Sequence, residues 1–536
     1  MIAWADHVIA APIIVPMLAG AAMILAGDRW RGLVVAIGLV STMTLVGLAA
    51  VLLGMADAPE VRLYRLGDWP AVFGIVLVHD RLSALMLALA AVLGLAAFVS
   101  SLARWDRAGA YFHPLFQFQL MGLNGAFLTG DLFNLFVFFE VMLAASYGLA
   151  LHGSGTARIR AGLHYIVVNL VASLLFLIGV SVVYGISGTL SMADLAARMR
   201  EVAAEDRALL EAGLAVMGIA FLVKAAVWPL GFWLPGTYAA ASAPAAAILS
   251  MLSKVGAYAL LRVWLLLFGE ESGASAGFGS AVLLVGGLAT IAFGAIAVLA
   301  AQNMPRLAGA CVLVSSGTLL AAVGAGQAAV TAGALLYLAS SVLALGALFL
   351  LIELVERGRE VGADVLAVTR EAFGTGEEED DLQEPETVGV AIPAIVAMLG
   401  MGFAACALLL AGLPPLAGFL AKFAMMAPLL GPPGTAVPAA GWAFVAALLL
   451  SGLATMVSML RMGIDAFWAS PPATVPRVSL YEIAPIGLLL ALSVALSVGA
   501  GPVMDYMLAA AAALHSPGPD LDGVLGMAAP MPEARP

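Results

Sequence analysis

The chain has 536 residues, of which 63% are hydrophobic and only 11% charged, and its formal net charge is −11. That balance excludes a soluble globular domain and points to a polytopic membrane protein. Twelve acids against three arginines between Glu353 and Glu386 carry −9 of the charge, so the acidity belongs to one loop and nucleic-acid binding has no support.

Apolar runs near the length of about 20 residues that spans a bilayer recur at roughly 8–27, 32–54, 80–103, 112–130, 132–151, 161–186, 208–232, 243–267, 279–301, 306–325, 329–352, 388–427, 440–464 and 481–510. These predict an all-α polytopic membrane protein of about 14 transmembrane helices. No Lys or Arg precedes the first run, which speaks against a cleaved signal peptide. The seventh run is interrupted at Pro229 and Pro235, and the twelfth at Pro414-Pro415. Proline inside a span frees carbonyls that need partners in protein or in a water-filled cavity. Interrupted spans at matching places in two halves are a signature of inverted transporter repeats. The expected division is therefore residues 1–111 for helices 1–3, 112–270 for a first five-helix repeat (spans 4–8), and 271–466 for a second (spans 9–13). The second repeat includes an acidic loop at 353–386. Residues 467–515 carry helix 14, and 516–536, rich in Pro, Gly and Ala, read as a disordered tail.

The basic residues are distributed unusually. The only lysines are Lys224, Lys254 and Lys422, and all three lie inside apolar runs; the 20 arginines lie in or beside the polar breaks. A charge in the middle of a membrane helix costs about 2.5–3.5 kcal/mol on insertion scales, so each such residue is a functional candidate. Glu140 sits in LFNLFVFFEVMLAASYGL, with eight uncharged residues between it and Asp131. Burial disfavours the charged form of a carboxyl or an amine, while a nearby opposite charge favours it. Glu140 and Lys224 therefore read as a pair whose separation sets the charge of the lysine. Lys254, ten mostly small apolar residues into its span, is too deep to snorkel easily, and Lys422 follows the second helix break with no acid between Thr387 and Ile464. Together the four suggest a proton relay. Weaker candidates are Asp131, beside Asn134 at an expected helix boundary, and His164, four residues into the sixth run. Ser315, Ser316, Ser340 and Ser341 can link a proton wire or serve as packing glue. His113, before Pro114, reads as an interfacial residue.

Other chemistries find no residues. The six histidines show no ligand spacing, and Cys311 and Cys406 read as small buried hydrophobes. Walker, Rossmann, haem and iron–sulfur motifs are not found, so neither cofactor nor metal is expected. Twelve loop arginines on one side against six on the other place the first set in the cytoplasm. Both termini are then expected on the periplasmic side.

The stretch FLVKAAVWPLGFWLPGTYAAASAPAAAILSMLSKVGAYALLRV, residues 221–263, resembles the signature region of antiporter-like membrane subunits. This family includes proton-pumping subunits of respiratory complex I and the large subunits of the Mrp-type (Pha) cation/proton antiporter. The glutamate span, the run LPPLAGF at 413–419 before Lys422, and YGISGTLSMADLA at 184–196 match as well, the last resembling the D-type branch. The resemblance covers nearly the whole chain. It implies two inverted five-helix repeats with roles for Glu140, Lys224, Lys254 and Lys422, and partner subunits of the A, B, C, E, F and G types in a bacterial inner membrane. Its implied work is exchange of Na⁺ or K⁺ for protons, driven by the proton motive force. The alternative is a proton-pumping subunit of a redox complex. One departure stands out: many relatives carry a histidine and a lysine in span 11, where this chain reads LYLASSVLALGALFLL with no titratable group other than the Tyr337 phenol. Gly236 stands where an acid is usual after Trp-Leu-Pro.

Overall fold

A computed structural model describes residues 4–57, 61–69, 74–200, 202–270, 272–360, 394–432, 436–469 and 478–516. Most of the acidic loop and nearly all of the tail lie outside these residues. Among the described residues, eleven helices are long and apolar enough to cross a bilayer, and Ala11–Ala26 and Ala417–Leu430 are shorter apolar helices. In chain order the helices that matter here are α1 (Ala11–Ala26), α2 (Arg31–Met55), α3 (Arg81–Ser101), α4 (Phe112–Leu128), α5 (Leu132–Leu151) and α6 (Thr156–Ser187). A short surface helix, α7 (Met192–Met199), leads to α8 (Ala204–Lys224), α9 (Trp233–Ala240), α10 (Ala243–Ala259) and α11 (Leu265–Phe268). Then come α12 (Ser280–Ala300), α13 (Met304–Ala325), α14 (Ala328–Glu360), α15 (Ala394–Ala411), α16 (Ala417–Leu430), α17 (Ala439–Ile464), α18 (Leu480–Val498) and α19 (Ala500–His515).

Polar side chains mark where the spans begin. Asp80 caps α3 by accepting from Ser83 N at 2.8 Å, while Ser83 Oγ accepts from Asp80 N at 2.9 Å, a reciprocal box. Asp131 caps α5 through Asn134 N at 2.7 Å, and Asn303 caps α13 through Arg306 N at 3.0 Å. The buried interior is centred on α10, α13 and α14; the apolar stretch of α14 is wholly enclosed, and the helix packs on α10, α13 and α16. By contrast α6 and α12 turn rows of large apolar side chains outward, as lipid-facing helices do.

Two features depart from the sequence reading. The run 481–510 is two helices, broken at Gly499. Between α2 and α3 the chain forms an antiparallel hairpin, β1 (Arg62–Arg65) with β2 (Val76–His79), registered Arg62 opposite His79. Gly130 N donates to Val76 O at 2.9 Å, and Asp131 bridges Ser191, so the hairpin ties the α4–α5 and α6–α7 connections together at one end of the bundle.

The interrupted spans are built alike. After α8, Ala226 takes a left-handed backbone (φ 57°) and Val227 N reaches back to Leu222 O at 3.0 Å. After α15, Gly412 is left-handed (φ 77°) and Leu413 N reaches back to Leu408 O at 3.0 Å. Each is the six-to-one closure of a helix C-terminus, and each is followed by a cis X-Pro bond, at Trp228–Pro229 and Pro414–Pro415. Trp228 N finds Thr290 Oγ1 on α12 at 2.9 Å, so the freed backbone is met by protein.

Candidate functional site

The four charged candidates lie on four helices, Glu140 on α5, Lys224 at the end of α8, Lys254 on α10 and Lys422 on α16, with α14 between the last two. All three lysines are buried, with relative exposures of 4%, 0% and 5%. Glu140 is half-buried.

Lys224 is the last residue of α8, directly before the break. Its Nζ has no hydrogen-bond partner and stands 5.1 Å from the centre of the Phe139 ring, next to Glu140 in the chain. Glu140 Oε1 is likewise buried and unpartnered. Among the described residues no nitrogen–oxygen distance of 4.0 Å or less joins the two. They are electrostatic neighbours without being a closed ion pair. A cation over an aromatic face is attracted by its quadrupole, so Phe139 offers Lys224 a resting place beside the carboxylate. Gly256, two residues after Lys254, lets α10 approach this point. A Cβ there would lie 2.5 Å from Ala225 N, 2.8 Å from Phe221 O and 2.9 Å from Lys224 C.

Lys254 donates to Ser315 Oγ on α13 at 2.7 Å, and Ser315 donates to Ser341 Oγ on α14 at 3.0 Å. Ser316 and Ser340 are buried, but the bonded pair is Ser315 with Ser341; the Ser316 hydroxyl has no partner. Lys422 donates to the carbonyl of Ala411, the last residue of α15, at 2.8 Å. Its stem lies against Gly412 and its ammonium against Gly452, where a Cβ would come within 2.7 Å of Cδ and 3.0 Å of Nζ respectively. Lys224 thus ends the helix before its break, and the Lys422 ammonium, reaching back from the helix after its break, meets the C-terminal end of α15, the end that carries partial negative charge.

The remaining candidates lie apart from these four. Asp131 serves as the α5 cap. His164 is exposed and lines a cavity of about 750 Å³ with Trp233, Thr237, Asn303 and Arg306. A second cavity, about 270 Å³, is lined by Trp105, Arg158, Tyr238, Glu353 and Arg357. Both open at the arginine-rich end. His113, in the first turn of α4, is buried, 3.5 Å from the nearly enclosed Asp106, which pairs with Arg31. Among the described residues no group of three His, Cys, Asp or Glu is arranged to hold a metal ion.

One intramembrane charge escaped the sequence reading. Arg262 does not lie in a polar break: it is 13% exposed, sits in a π-turn (Leu260–Trp264) that continues α10, and forms a bidentate pair with Asp80. Its Nε also reaches Tyr258 Oη at 3.3 Å, while Tyr258 donates to Phe127 O at 2.6 Å. The Arg262 guanidinium and the Ser83 bonds together meet the buried Asp80 carboxylate. The pair borders a cavity of about 80 Å³ under the hairpin, lined also by Thr129, Gly130 and Ser191. Position in an apolar run, the rule that singled out the lysines, would have found it.

The family described as NADH:quinone oxidoreductase/Mrp antiporter, TM, matches residues 129–432. A protein of Rhizobium meliloti (strain 1021), named as the D-type component of a probable K(+)/H(+) antiporter, is 57% identical over 523 residues, 96% of each chain. The corresponding D-type component of the Na(+)/H(+) antiporter of Alkalihalophilus pseudofirmus is 33% identical over 529 residues, covering 97% of this chain and 99% of that one. A chain in the Mrp complex from Dietzia sp. DQ12-45-1b superposes with a TM-score of 0.82 at 25% identity, covering 98% of this chain and all of that one. One in respiratory complex I from Thermus thermophilus with bound NADH gives 0.74 at 24%, covering 95% and 99%, a likeness of fold.

Proposed function

Because the chain belongs to the NADH:quinone oxidoreductase/Mrp antiporter transmembrane family, we propose that it is the D-type, proton-carrying component of a multisubunit secondary antiporter. It exchanges Na⁺ or K⁺ for protons across a bacterial inner membrane with its A, B, C, E, F and G type partners. The observation that carries this reading is the set of enclosed lysines together with an unpartnered pair, Lys224 Nζ and Glu140 Oε1. Buried charges are kept in pairs or neutralised; leaving both atoms of a neighbouring pair unmet is unsuited to a static ion pair and suited to a group that gains and loses a proton.

Lys224 acts as the switch and Glu140 as its modulator, while Lys254 and Lys422 relay the proton along the midplane. The similarly built breaks after α8 and α15 support the division into inverted repeats at 112–270 and 271–466. With the arginine-rich end in the cytoplasm, the cavity beside His164 opens inward and the hairpin lies on the periplasmic side together with both termini. A membrane potential supplies about 2.3 kcal/mol per charge per 100 mV, against about 1.4 kcal/mol for a tenfold change in protonation. The driving force is therefore sufficient to load and unload a buried lysine. A redox-coupled role rests on fold likeness alone.

The test is cation-driven proton movement in everted vesicles holding the whole complex, Na⁺ against K⁺, wild type against Lys224→Ala. The expected result is a pH change on cation addition that disappears in the variant while its partners still co-purify. An assembled variant that antiports at the wild-type rate refutes the reading.

A further inference from the structure

In an antiporter built on these lysines, a proton must pass from Lys254 to Lys422, yet α14, which stands between their helices, carries no titratable side chain in its LYLASSVLALGALFLL stretch other than a phenol. We infer that Ser315, Ser341 and Tyr337 form a hydroxyl bridge that conducts the proton between Lys254 and Lys422 and excludes the exchanged cation, an inference that rests on the proposed antiport.

The links are specific. Lys254 Nζ donates to Ser315 Oγ at 2.7 Å, and Ser315 Oγ donates to Ser341 Oγ at 3.0 Å. Ser341 already has a backbone partner, Leu338 O at 3.1 Å, which is all a packing serine requires. Its additional contact to Ser315 connects two helices. Tyr337, one turn before Ser341 on α14 and 6% exposed, is a neighbour of Ser315 and Thr318 of α13. Cys311, one turn before Ser315, lies in the electrostatic field of both Tyr337 and Lys422. Lys422 itself rests on the Ala411 carbonyl at 2.8 Å, in the space left by Gly412 and Gly452.

A hydroxyl carries one proton and two lone pairs, so it accepts on one side as it releases on the other. For each passage the Lys254 ammonium loses a proton and becomes an amine. Ser315 takes that proton and passes on its own to a neighbouring hydroxyl, which releases one in turn, and a water bridging the remaining gap hands a proton to the Lys422 amine, which becomes an ammonium. The hydroxyls end reoriented and must rotate back before the next transfer. Na⁺ and K⁺ prefer several oxygen ligands, carboxylates among them, as hard cations do; two serines and a phenol in an enclosed helix interface do not provide that shell. The bridge is thus selective by composition.

The decisive experiment measures antiport in everted vesicles with the full complex, in H₂O and D₂O, for Tyr337→Phe, Ser341→Ala, Ser315→Ala and Ser315→Thr. Ser181→Ala, on the exposed face of α6, serves as the control. Partner co-purification reports assembly. Ser315→Ala is expected to lower the rate on the order of a hundredfold, the scale of a positioned proton-transfer group. Tyr337→Phe and Ser341→Ala should lower it as well, with a larger slowing in D₂O than wild type. Ser315→Thr, which keeps the hydroxyl, should retain most activity. The bridge is refuted if the three hydroxyl deletions transport at the wild-type rate while Lys254→Ala is inactive. It is refuted equally if Ser315→Thr is as impaired as Ser315→Ala. A wild-type complex without cation-driven proton movement overturns the antiporter reading instead, so the two failures are separate.

Discussion

Substituting Gly256 by alanine tests the geometry of the site without touching a charged group. The added Cβ would meet only backbone, at 2.5 Å from Ala225 N, and no rotamer change can relieve it. Ordinary contact begins at 3.4 Å, so α8 and α10 must part by about 0.9 Å, the difference of those two distances. Overpacking of this kind costs about 1–3 kcal/mol. The strain falls on the last turn of α8, and therefore on Lys224. Misplacement of a reacting group by about 1 Å can cost on the order of a hundredfold in rate. The expected Gly256→Ala complex is assembled, melts a few degrees lower, and antiports at roughly one-tenth to one-hundredth of the wild-type rate. Gly185→Ala is the control: it lies in α6 with nothing within 4 Å of its new Cβ, and the change should be neutral or slightly stabilising. A Gly256→Ala complex with normal melting and normal transport refutes the reasoning, because the helix contact would then not position the lysine.

Two further outcomes follow from the ion pair and the cap. Asp80→Asn leaves Arg262 enclosed without its carboxylate and should cost about 3–5 kcal/mol in thermal stability, much of it recovered by adding Arg262→Met; an unchanged melting temperature in the single variant would dismiss the pair as a structural element. Asp131→Ala removes the bond to Asn134 N and should cost about 1 kcal/mol of stability with antiport preserved. A loss of antiport matching that of Lys224→Ala would return Asp131 to the relay.

The lysines and Glu140 were legible because lipid makes a buried charge expensive and therefore rare, so few positions compete for attention. Both helix breaks were legible because proline states them outright. Arg262 lies inside the run 243–267 and the same rule reaches it, but five residues from the end of that run it was counted with the flanking arginines. The choice of Ser341 over Ser340 was hidden: α14 is apolar on every side, and with no amphipathic period nothing in the sequence tells which of two adjacent serines faces α13. The hairpin's strands are four residues each, too short to stand out between two spans. Lys422 looked partnerless because its partner is a main-chain carbonyl, which every residue possesses.

Reliance on a main-chain oxygen changes how such a site responds to mutation. The atom that receives the Lys422 ammonium belongs to the peptide unit of Ala411, and Lys224 lies at the equivalent end of α8. Replacing Ala411 by any other amino acid leaves its carbonyl in place, so a scan of side chains will pass over half of the charge-holding apparatus and score these positions by size alone. The vulnerable genetic targets are instead changes in chain length: a residue inserted or deleted within α15 ahead of the break turns a different carbonyl toward the lysine. The side chain of Ala411 is therefore free to vary in chemistry, provided that Gly412 and Gly452 stay small and that the count of residues before the break is kept.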